Sequence, residues 1–400
     1  MKRSCICLAL ILWILPSNAD QSASFDKVWT QALEQIYPAE KVRLFSESKR
    51  QQLRALAQKA DSTQALAEVL NPFLLSLGVS HTYFYQDRDP DYYVFRSLFT
   101  TRDIASPKIH HLGMQLEKLG GGYVVRTVLE GYPAAKAGLR RGDKLLHING
   151  RPFHPFDSFN PKQKQMELTF QRDENEVKVR VNSVFESPNE SFFKATKNSA
   201  RILAIDGKKI GYVHLWSGTN PKFLETLKKT VLTTFKNTDG LILDLRDGFG
   251  GAWWDYLDPF FADSSSYFKP TLVTREGAGE EQQPPVKRNS SYYSKPMVVI
   301  INEGVRSGKE ALAYQFKKAK RAKLIGAPTA GAFSLGNGFF AEESEKYILY
   351  LSIAELLLDG SKIEGRPIQP DVFVPFPLDG NASLDPQFEK AVEVLKHSLN

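Results

Sequence analysis

Three short runs rich in Leu, Ile and Val, each of strand length, constrain the fold of this chain more than any other feature. The runs are residues 241–245, 296–301 and 323–326. Segments with helical periodicity precede the first run, at 222–235, and join the second to the third, at 307–322. Strands that are apolar on both faces are typical of buried parallel sheets, and strand–helix–strand spacing implies crossover connections. The sequence therefore predicts an α/β region in the second half of the chain.

The first 19 residues have the three parts of a secretory signal peptide. Lys2 and Arg3 precede an apolar run from 5 to 15, and the small residues Ser17 and Ala19 stand at the −3 and −1 positions of a cut. A membrane-spanning helix needs roughly 20 apolar residues, and this run is shorter. We therefore expect residues 1–19 to be removed on export. Both cysteines lie within them, so we expect neither a disulfide nor a cysteine nucleophile in the mature protein.

Composition and charge argue against several other classes of protein. Apolar residues make up 42% of the chain and charged residues 24%, which is ordinary for a globular protein. The formal net charge of +7 is a mild excess for 400 residues, and it predicts solubility rather than nucleic acid binding. No later apolar run in the sequence is long enough to cross a membrane. No HExxH or paired Cys/His spacing indicates a catalytic metal.

Residues 20–102 are predicted to form an N-terminal helical domain. Apolar residues recur at helical spacing in three stretches, which begin near positions 25, 48 and 62. Gly78 fits the C-terminus of the third helix. Ser80 and His81 follow that glycine directly, so they are expected in the connection that leaves the helical domain.

Short strands and glycine-rich turns replace the helical periodicity over residues 103–184. A small helix at 133–139, a Gly-Asp turn at 142–143 and an Ile-Asn-Gly turn at 148–150 occur in this order. This stretch resembles a PDZ domain, which adds an extended peptide to a sheet edge and holds its terminal carboxylate with loop amides. The resemblance implies that the carboxylate loop consists of Leu112, Gly113 and Met114. The alternative is a PDZ domain that only packs against its neighbours and binds no peptide.

Two turns that contain glycine follow the first two buried runs. Clustered glycines at 244–251 let backbone amides face a cleft and serve an oxyanion or a phosphate, although the Gly-Lys-Ser/Thr of a Walker motif is missing. Ser307 ends the second turn and opens a helix whose positive end favours a developing anion, and Gly308 adds an unobstructed amide. Each turn has a structural alternative, which is a plain loop for the first and an ordinary Ser N-cap for the second.

Together these motifs resemble the serine peptidase family of the C-terminal processing peptidases and tricorn. The Asp-Leu-Arg-x-x-x-Gly-Gly loop of that family stands at 244–251, and its Asn-x-Gly-x-x-Ser nucleophile turn stands at 302–307. Its Gly-x-x-Thr-x-Gly turn stands at 326–331, and its Glu-Gly-x-x-x-x-Pro-Asp motif stands at 364–371. The resemblance implies a multidomain α/β protein with an N-terminal helical segment, a PDZ domain and a crotonase-like α/β serine peptidase core at 185–400.

One departure from the family pattern bears on the mechanism. The processing peptidases use a Ser–Lys dyad whose lysine directly follows the last turn glycine, and this chain has Ala332 there. The tricorn branch instead takes a Ser-His pair from the segment before the PDZ domain and a late glutamate. Because a serine hydroxyl needs a base, the resemblance implies Ser307 as nucleophile and His81 as general base and then acid. Ser80 and Glu364 would hold the imidazole in the right tautomer.

The same resemblance implies an oxyanion hole made of backbone amides, from Gly250 or Gly251 and from Gly308. His214, on the strand that precedes the glycine loop, is the alternative candidate for the base. Such a mechanism needs no cofactor and no metal.

The sequence thus predicts an exported serine endopeptidase that hydrolyses peptide bonds through an acyl-enzyme. The family resemblance favours the periplasm over full secretion, and the PDZ domain would recruit or gate extended or C-terminal segments of polypeptide substrates. The oligomeric state stays open. The main alternative is an inactive homologue that serves as a PDZ peptide-binding scaffold, since Asp247-Gly248 departs from the more common Gly-Asn. A crotonase-type acyl-CoA enzyme shares the core fold but accounts for neither the PDZ domain nor the Ser307 turn.

Overall fold

The computed structural model describes residues 21–98, 106–160, 162–163, 165–340, 346–378 and 384–399. The predicted signal peptide lies outside these ranges. Within them the chain forms a helical N-terminal segment, a small β domain and an α/β region with two sheets. No helix in these ranges is both long enough and apolar enough to span a membrane.

Within residues 21–98, four α-helices and one strand form the N-terminal segment, with a short 3-10 helix at Ala39–Leu44 after the first helix. They are α1 (Ser22–Gln35), α2 (Glu47–Ala57), α3 (Thr63–Ser76), β1 (Tyr83–Gln86) and α4 (Pro90–Leu98). The rings of Trp29, Phe45 and Phe73 pack against one another in its core. Ser62 caps α3, because its hydroxyl accepts a hydrogen bond from Ala65 N at 3.1 Å. The three predicted helices are confirmed.

The small β domain has the strand-and-short-helix composition that the sequence predicts. Its elements are β2 (Ile109–His111), β3 (Met114–Leu119), β4 (Gly122–Val128), α5 (Pro133–Lys136), β5 (Lys144–Ile148), β6 (Arg151–Pro152), β7 (Met166–Arg172), β8 (Asn175–Val181) and β9 (Val184–Glu186). The main sheet has the order β3-β4-β5-β7-β8, and β2 pairs with β9. Beneath the Gly-Asp turn, Arg172 forms an ion pair with the buried Asp143 at 2.7 Å.

The α/β region supplies the remaining elements. They are α6 (Pro188–Ser199), β10 (Arg201–Ile205), β11 (Lys208–His214), α7 (Pro221–Lys229), β12 (Gly240–Asp244), β13 (Pro270–Thr274), β14 (Gly277–Glu281), β15 (Met297–Ile301), α8 (Gly308–Lys318), β16 (Lys323–Gly326), β17 (Ser334–Phe340), β18 (Tyr347–Leu358), β19 (Ser361–Lys362), β20 (Val372–Phe373) and α9 (Pro386–His397). One sheet has the order β10-β11-β12-β15-β16-β20. Its pairs from β11 to β20 are parallel, as the three apolar runs predict.

This parallel sheet is covered on both faces, which explains why its strands are apolar at nearly every position. Leu243 and Val299 lie in the same buried cluster as Phe316 of α8. Ile300, one position further along its strand, lies in the cluster that contains Leu395 of α9. Successive residues of a strand point to opposite faces, so two covering layers require two apolar sets.

The second sheet joins the N-terminal segment to the α/β region. Strand β18 pairs with β1, β13, β17 and β19, and three of its residues share the core of the N-terminal helices. Strand β14 extends this sheet at its edge by pairing with β13. The sequence predicts a surface loop over 277–292, and this is wrong at 277–281. All five residues of β14 are exposed, and an exposed edge strand carries no apolar alternation by which the sequence could reveal it.

Candidate active site

Ser307 lies between β15 and α8 in a backbone conformation that side chains rarely adopt. Its φ is 55° and its ψ is −135°. Such a conformation costs on the order of 1–3 kcal/mol and persists only where the surroundings enforce it. Here Ser307 N donates to the carbonyl of Ala332 at 2.8 Å, and the Ser307 carbonyl accepts from Glu310 N at 2.7 Å. The hydroxyl makes no capping hydrogen bond, so Ser307 differs from the ordinary N-cap that the sequence allows as an alternative.

The glycine loop after β12 packs directly against Ser307. A Cβ on Gly250 would lie 2.7 Å from the Ser307 Cβ. A Cβ on Gly308 would lie 2.2 Å from the carbonyl oxygens of both Gly251 and Ala252. Only glycine permits backbone segments to approach this closely. In the described part of the chain, the amides of Gly250, Gly251 and Gly308 donate no hydrogen bond, so three free donors are grouped at the Ser307 turn.

Ser80, His81 and Glu364 form one hydrogen-bonded cluster. Ser80 Oγ lies 2.7 Å from His81 Nδ1 and donates to Glu364 Oε2 at 2.7 Å. Because the single hydroxyl hydrogen goes to the carboxylate, Ser80 Oγ must accept from His81, so Nδ1 carries the ring hydrogen. His81 Nε2 then holds the lone pair that a general base needs.

A short segment, residues 332–334, connects this cluster to the Ser307 turn. Glu364 Oε2 also accepts from Phe333 N at 2.7 Å and from Ser334 N at 3.1 Å. The preceding residue, Ala332, accepts from Ser307 N. Ala332, at the position where the resemblance to the processing peptidases implies a lysine, thus places a methyl group beside the Ser307 backbone.

Burial sets the protonation state of His81. The loss of hydration lowers the pKa of His81 to about 4, the negative charge of Glu364 opposes this shift, and the positive charge of Arg306 adds to it. The imidazole is therefore neutral at neutral pH, which is the state in which it can accept a proton.

Glu310 is a site residue that the sequence reasoning missed. Its buried carboxylate accepts from Thr329 Oγ1 at 2.5 Å, from Gly331 N at 2.8 Å and from Ala332 N at 2.9 Å. Burial raises the pKa of Glu310 to about 7, and these hydrogen bonds oppose the shift. Glu310 thereby fixes the backbone at Gly331 and Ala332, and the Ala332 carbonyl accepts the hydrogen bond from Ser307 N. The Ser-x-x-Glu spacing at a helix start, which is typical of capping boxes, is the signal that could have found it.

Lys309 is fully buried beneath the glycine loop. Its Nζ donates to the carbonyl of Asp247 at 2.5 Å and to that of Leu215 at 3.3 Å. A lysine two residues after Ser307 on the same helix is predicted to project away from the serine, and Lys309 bonds to these backbone carbonyls instead. Burial lowers the pKa of Lys309 to about 7, while Asp247 and Asp244 oppose the shift.

His214 has no free ring nitrogen. Its Nδ1 lies 3.1 Å from Glu130 Oε1, and its Nε2 lies 2.8 Å from the carbonyl of Arg246. A ring nitrogen that faces a carbonyl must donate, so no lone pair remains for a substrate, and His214 does not fit the role of alternative base. Together with Glu130, it lines a cavity of about 270 Å³ between the β domain and the core.

The β domain touches the glycine loop through two side chains. Gln115 of β3 accepts from Gly248 N at 2.7 Å and donates to the Gly248 carbonyl at 3.2 Å. Arg126 of β4 pairs with Asp247 Oδ1 at 2.8 Å. The unusual Asp247-Gly248 pair is thus the part of the loop that the β domain holds.

In the loop expected to bind a peptide carboxylate, some groups already contact other residues of the β domain. Leu112 is buried, and the amide of Gly113 donates to His111 Nδ1 at 3.0 Å. A Cβ on Gly113 would meet the Tyr132 side chain at 2.2 Å, which explains the glycine. Met114 opens β3 and pairs with β4.

Two family descriptions match this chain. Residues 209–374 match peptidase family S41, and residues 124–172 match the PDZ domain.

Curated relatives match most of this chain but a smaller part of their own length. The tricorn protease of Thermoplasma volcanium is 22% identical over 406 residues, which cover 95% of this chain and 36% of that protein. The carboxy-terminal processing protease CtpA of Bacillus subtilis is 23% identical, covering 68% of this chain and 57% of its own. A probable CtpA-like serine protease of Staphylococcus aureus is 26% identical, covering 66% and 53%. This chain therefore spans about a third to little more than half of the length of these relatives.

Solved structures share the fold over nearly the whole chain. A photosystem II D1 C-terminal processing protease superposes with a TM-score of 0.55 at 18% identity, covering 96% of this chain and 98% of its own. The tricorn protease superposes with a TM-score of 0.53 at 16% identity, covering 96% of this chain and 37% of its own. The predicted mixed α/β fold with a PDZ domain is confirmed.

Proposed function

We propose that this chain is a serine endopeptidase that works through an acyl-enzyme, on the premise that residues 209–374 match peptidase family S41 and residues 124–172 match the PDZ domain. Ser307 is the nucleophile, His81 is the base, and polypeptides are the substrates. The observation that carries the proposal is the hydrogen bonding of Ser80 to Glu364, which leaves the lone pair of His81 on Nε2. The strained turn, and a hydroxyl that makes no capping hydrogen bond at the helix start, support the same role for Ser307.

The proposed reaction has two halves, formation of the acyl-enzyme and its hydrolysis, and the same residues act in both. Ser307 Oγ attacks the scissile carbonyl carbon while His81 Nε2 takes the hydroxyl proton. The oxyanion accepts hydrogen bonds from the amide of Gly308 and from that of Gly250 or Gly251. His81 then gives its proton to the leaving amine, which breaks the peptide bond and leaves the acyl-enzyme. A water molecule repeats the sequence and releases the new carboxyl end.

Ser80 and Glu364 are positioning residues in this proposal. They orient the ring of His81 and stabilise the imidazolium that forms in each half of the reaction. The buried Glu310 serves the nucleophile in a similar way, because it holds the turn that binds Ser307 N.

We propose that the PDZ domain recruits or gates extended or C-terminal substrate segments. The contacts of Gln115 and Arg126 with the glycine loop support gating, since a shift of β3 or β4 on peptide binding reaches the proposed oxyanion hole directly. The apolar run at 5–15 supports export, and the family resemblance favours the periplasm.

Degradation of an unfolded model protein by the mature chain tests the function. The wild type is expected to cleave it, and Ser307→Ala is expected to abolish cleavage without unfolding the protein. Ser291→Ala removes an exposed serine and serves as the matched control. His81→Ala is expected to lose nearly as much activity as Ser307→Ala.

Labelling with a fluorophosphonate separates an enzyme from a scaffold. The wild type is expected to react at Ser307, and Ser307→Ala is expected not to react. A folded wild type that neither cleaves nor reacts would favour the inactive PDZ scaffold. Full activity in His81→Ala would show that the base is a different residue.

A further inference from the structure

Arg306 stands beside the proposed nucleophile, and its side chain has no partner among the residues that the structure describes. In the part of the chain that the structure describes, its guanidinium forms neither an ion pair nor a hydrogen bond, and its Nε is buried. Three other arginines around the glycine loop form ion pairs. Arg126 pairs with Asp247, Arg141 with Glu303, and Arg246 with Asp244.

An unpartnered, half-buried guanidinium is unusual because burial of a charge costs free energy unless a partner compensates. Glu364, the carboxylate that together with Arg306 acts on His81, accepts four hydrogen bonds from Ser80, Phe333 and Ser334. Among the residues that the structure describes, no anion therefore balances this cation at the site.

The surroundings of Arg306 place this cation on the reaction side of the Ser307 turn. Its charge acts on His81, Tyr85 and Tyr350 and favours lower pKa values in all three. The ring of Tyr350 lies 5.5 Å from that of His81 and 4.3 Å from that of Phe95. The guanidinium is thus close enough to these three side chains to act on their charges, and a partly buried cation binds an anion more strongly than one in open water.

We propose that Arg306 binds a carboxylate group of the substrate close to the scissile bond. The inference rests on the proposed function. Two sources offer this chemistry, which are an Asp or Glu side chain and a free C-terminal carboxylate. A guanidinium matches either one, since its planar fork forms two parallel hydrogen bonds to a carboxylate.

A substrate carboxylate at Arg306 would also assist the reaction at His81. The imidazole becomes an imidazolium as it takes the proton of Ser307, and the positive charge of Arg306 disfavours that state. Neutralisation of Arg306 by the substrate removes this penalty in the transition state. A group that acts in the transition state changes kcat and not only KM. Acidic substrates are therefore expected to be turned over faster as well as bound more tightly.

The test compares peptides that differ only in one carboxylate. One pair carries Glu or Gln beside the cleaved bond and has an amidated end, and a second pair lacks acidic residues and ends in a free acid or an amide. For the wild type, kcat/KM is expected to be about 10- to 100-fold higher for the carboxylate member of at least one pair, since a charge-assisted hydrogen bond has this strength. The pair that shows the preference identifies the source.

Variants assign the preference to this side chain. Arg306→Gln is expected to remove it, Arg306→Lys to keep part of it, and Arg288→Gln, which removes an exposed arginine, to leave it unchanged. Equal kcat/KM values for both members of both pairs in the wild type would overturn the inference. A preference that survives in Arg306→Gln would also overturn it and, for the free acid, would point to the PDZ domain.

A binding arm keeps the inference testable if no cleavage is seen. Fluorescently labelled peptides of the same pairs are titrated into Ser307→Ala at low and high salt. Tighter binding of the carboxylate peptide that is lost in the Ser307→Ala/Arg306→Gln double variant would support the inference even if the proposed activity fails. Equal binding of both peptides would overturn it.

Discussion

Glu364 accepts two hydrogen bonds from Ser80, one from its backbone amide at 2.9 Å and one from its hydroxyl at 2.7 Å. The two residues are 284 positions apart, so this contact ties the N-terminal segment to the core at the proposed active site. Because the hydroxyl hydrogen is committed, Ser80 also fixes which nitrogen of His81 is protonated. One carboxylate therefore controls both the position and the tautomer of the proposed base.

Glu364→Gln is expected to lower kcat about 10- to 1,000-fold, with a smaller effect on KM, because wrong orientation of a catalytic histidine acts mainly on the chemical step. A glutamine offers one acceptor oxygen where the carboxylate offers two. Steady-state kinetics on a peptide substrate measures the change.

Two further variants show whether a loss of activity in Glu364→Gln comes from the positioning of His81. Glu389→Gln, which changes an exposed side chain of α9, is the matched control and is expected to be silent. If both Glu364→Gln and Ser80→Ala kept the full kcat, neither residue would position His81, although Ser307 and His81 could still act as a pair.

The pH dependence of kcat/KM should reveal the lowered pKa of the partly buried His81 imidazole. Burial lowers the pKa of His81 to about 4, and only the neutral ring can act as a base. Activity is therefore expected to rise with pH through about 4 and to stay level from about 5 to 7. Arg306→Gln removes a charge that helps to lower this pKa, so its acid limb is expected at higher pH. An acid limb near 6.5 in the wild type would contradict the burial of His81.

Glu310→Gln is expected to destabilise the fold by about 1–3 kcal/mol, because buried donors lose their acceptor. A glutamine has one terminal oxygen and one terminal NH2 group. It therefore cannot accept all three hydrogen bonds that the carboxylate accepts from Thr329, Gly331 and Ala332. Urea denaturation measures the loss, and the exposed Glu393→Gln is the control. Activity is expected to fall as well, since the turn holds Ser307.

The sign of the pH effect on Glu310 follows from its raised pKa. Between its ordinary value of 4.5 and about 7, the folded protein keeps a proton on Glu310 that the unfolded chain has released. The contribution of this group to stability is therefore complete below about 4.5 and is lost as the pH rises through 7. The stability difference between the wild type and Glu310→Gln should accordingly shrink over this range, and a difference that grows would contradict the assignment.

The sequence alone predicts the elements that a local pattern of apolar residues determines. The parallel strands at 240–244 and 297–301 follow from unbroken apolar runs, since both faces of that sheet are covered. The pairing of Ser80 with Glu364 came from a family resemblance, because no local pattern links positions so far apart in the chain. The edge strand at 277–281 left no signal, as all of its side chains are exposed.

The features of the site that the sequence did not predict depend on tertiary packing. Neither the strained φ of Ser307 nor the burial of Lys309 can be read from residue types, because both follow from how the glycine loop lies on the helix start. Arg306 and Glu310 look like ordinary charged residues near a helix start. Only the absence of an anion for Arg306 in the described part of the chain, and the three donors around Glu310, set them apart.

Gln115→Ala tests whether the PDZ domain controls the glycine loop. Gln115 holds both the amide and the carbonyl of Gly248, two residues before the proposed oxyanion donor Gly250. Loss of one oxyanion-hole donor costs about 100- to 1,000-fold in kcat. A loosened donor is expected to cost less, about 10-fold, with little change in the unfolding temperature. Gln171→Ala, which removes an amide on β7 of the same domain that donates to the nearby Asp173 carbonyl, is the matched control. An unchanged kcat in Gln115→Ala would show that the loop keeps its shape without the PDZ domain, and gating would then have to act through Arg126 and Asp247 alone.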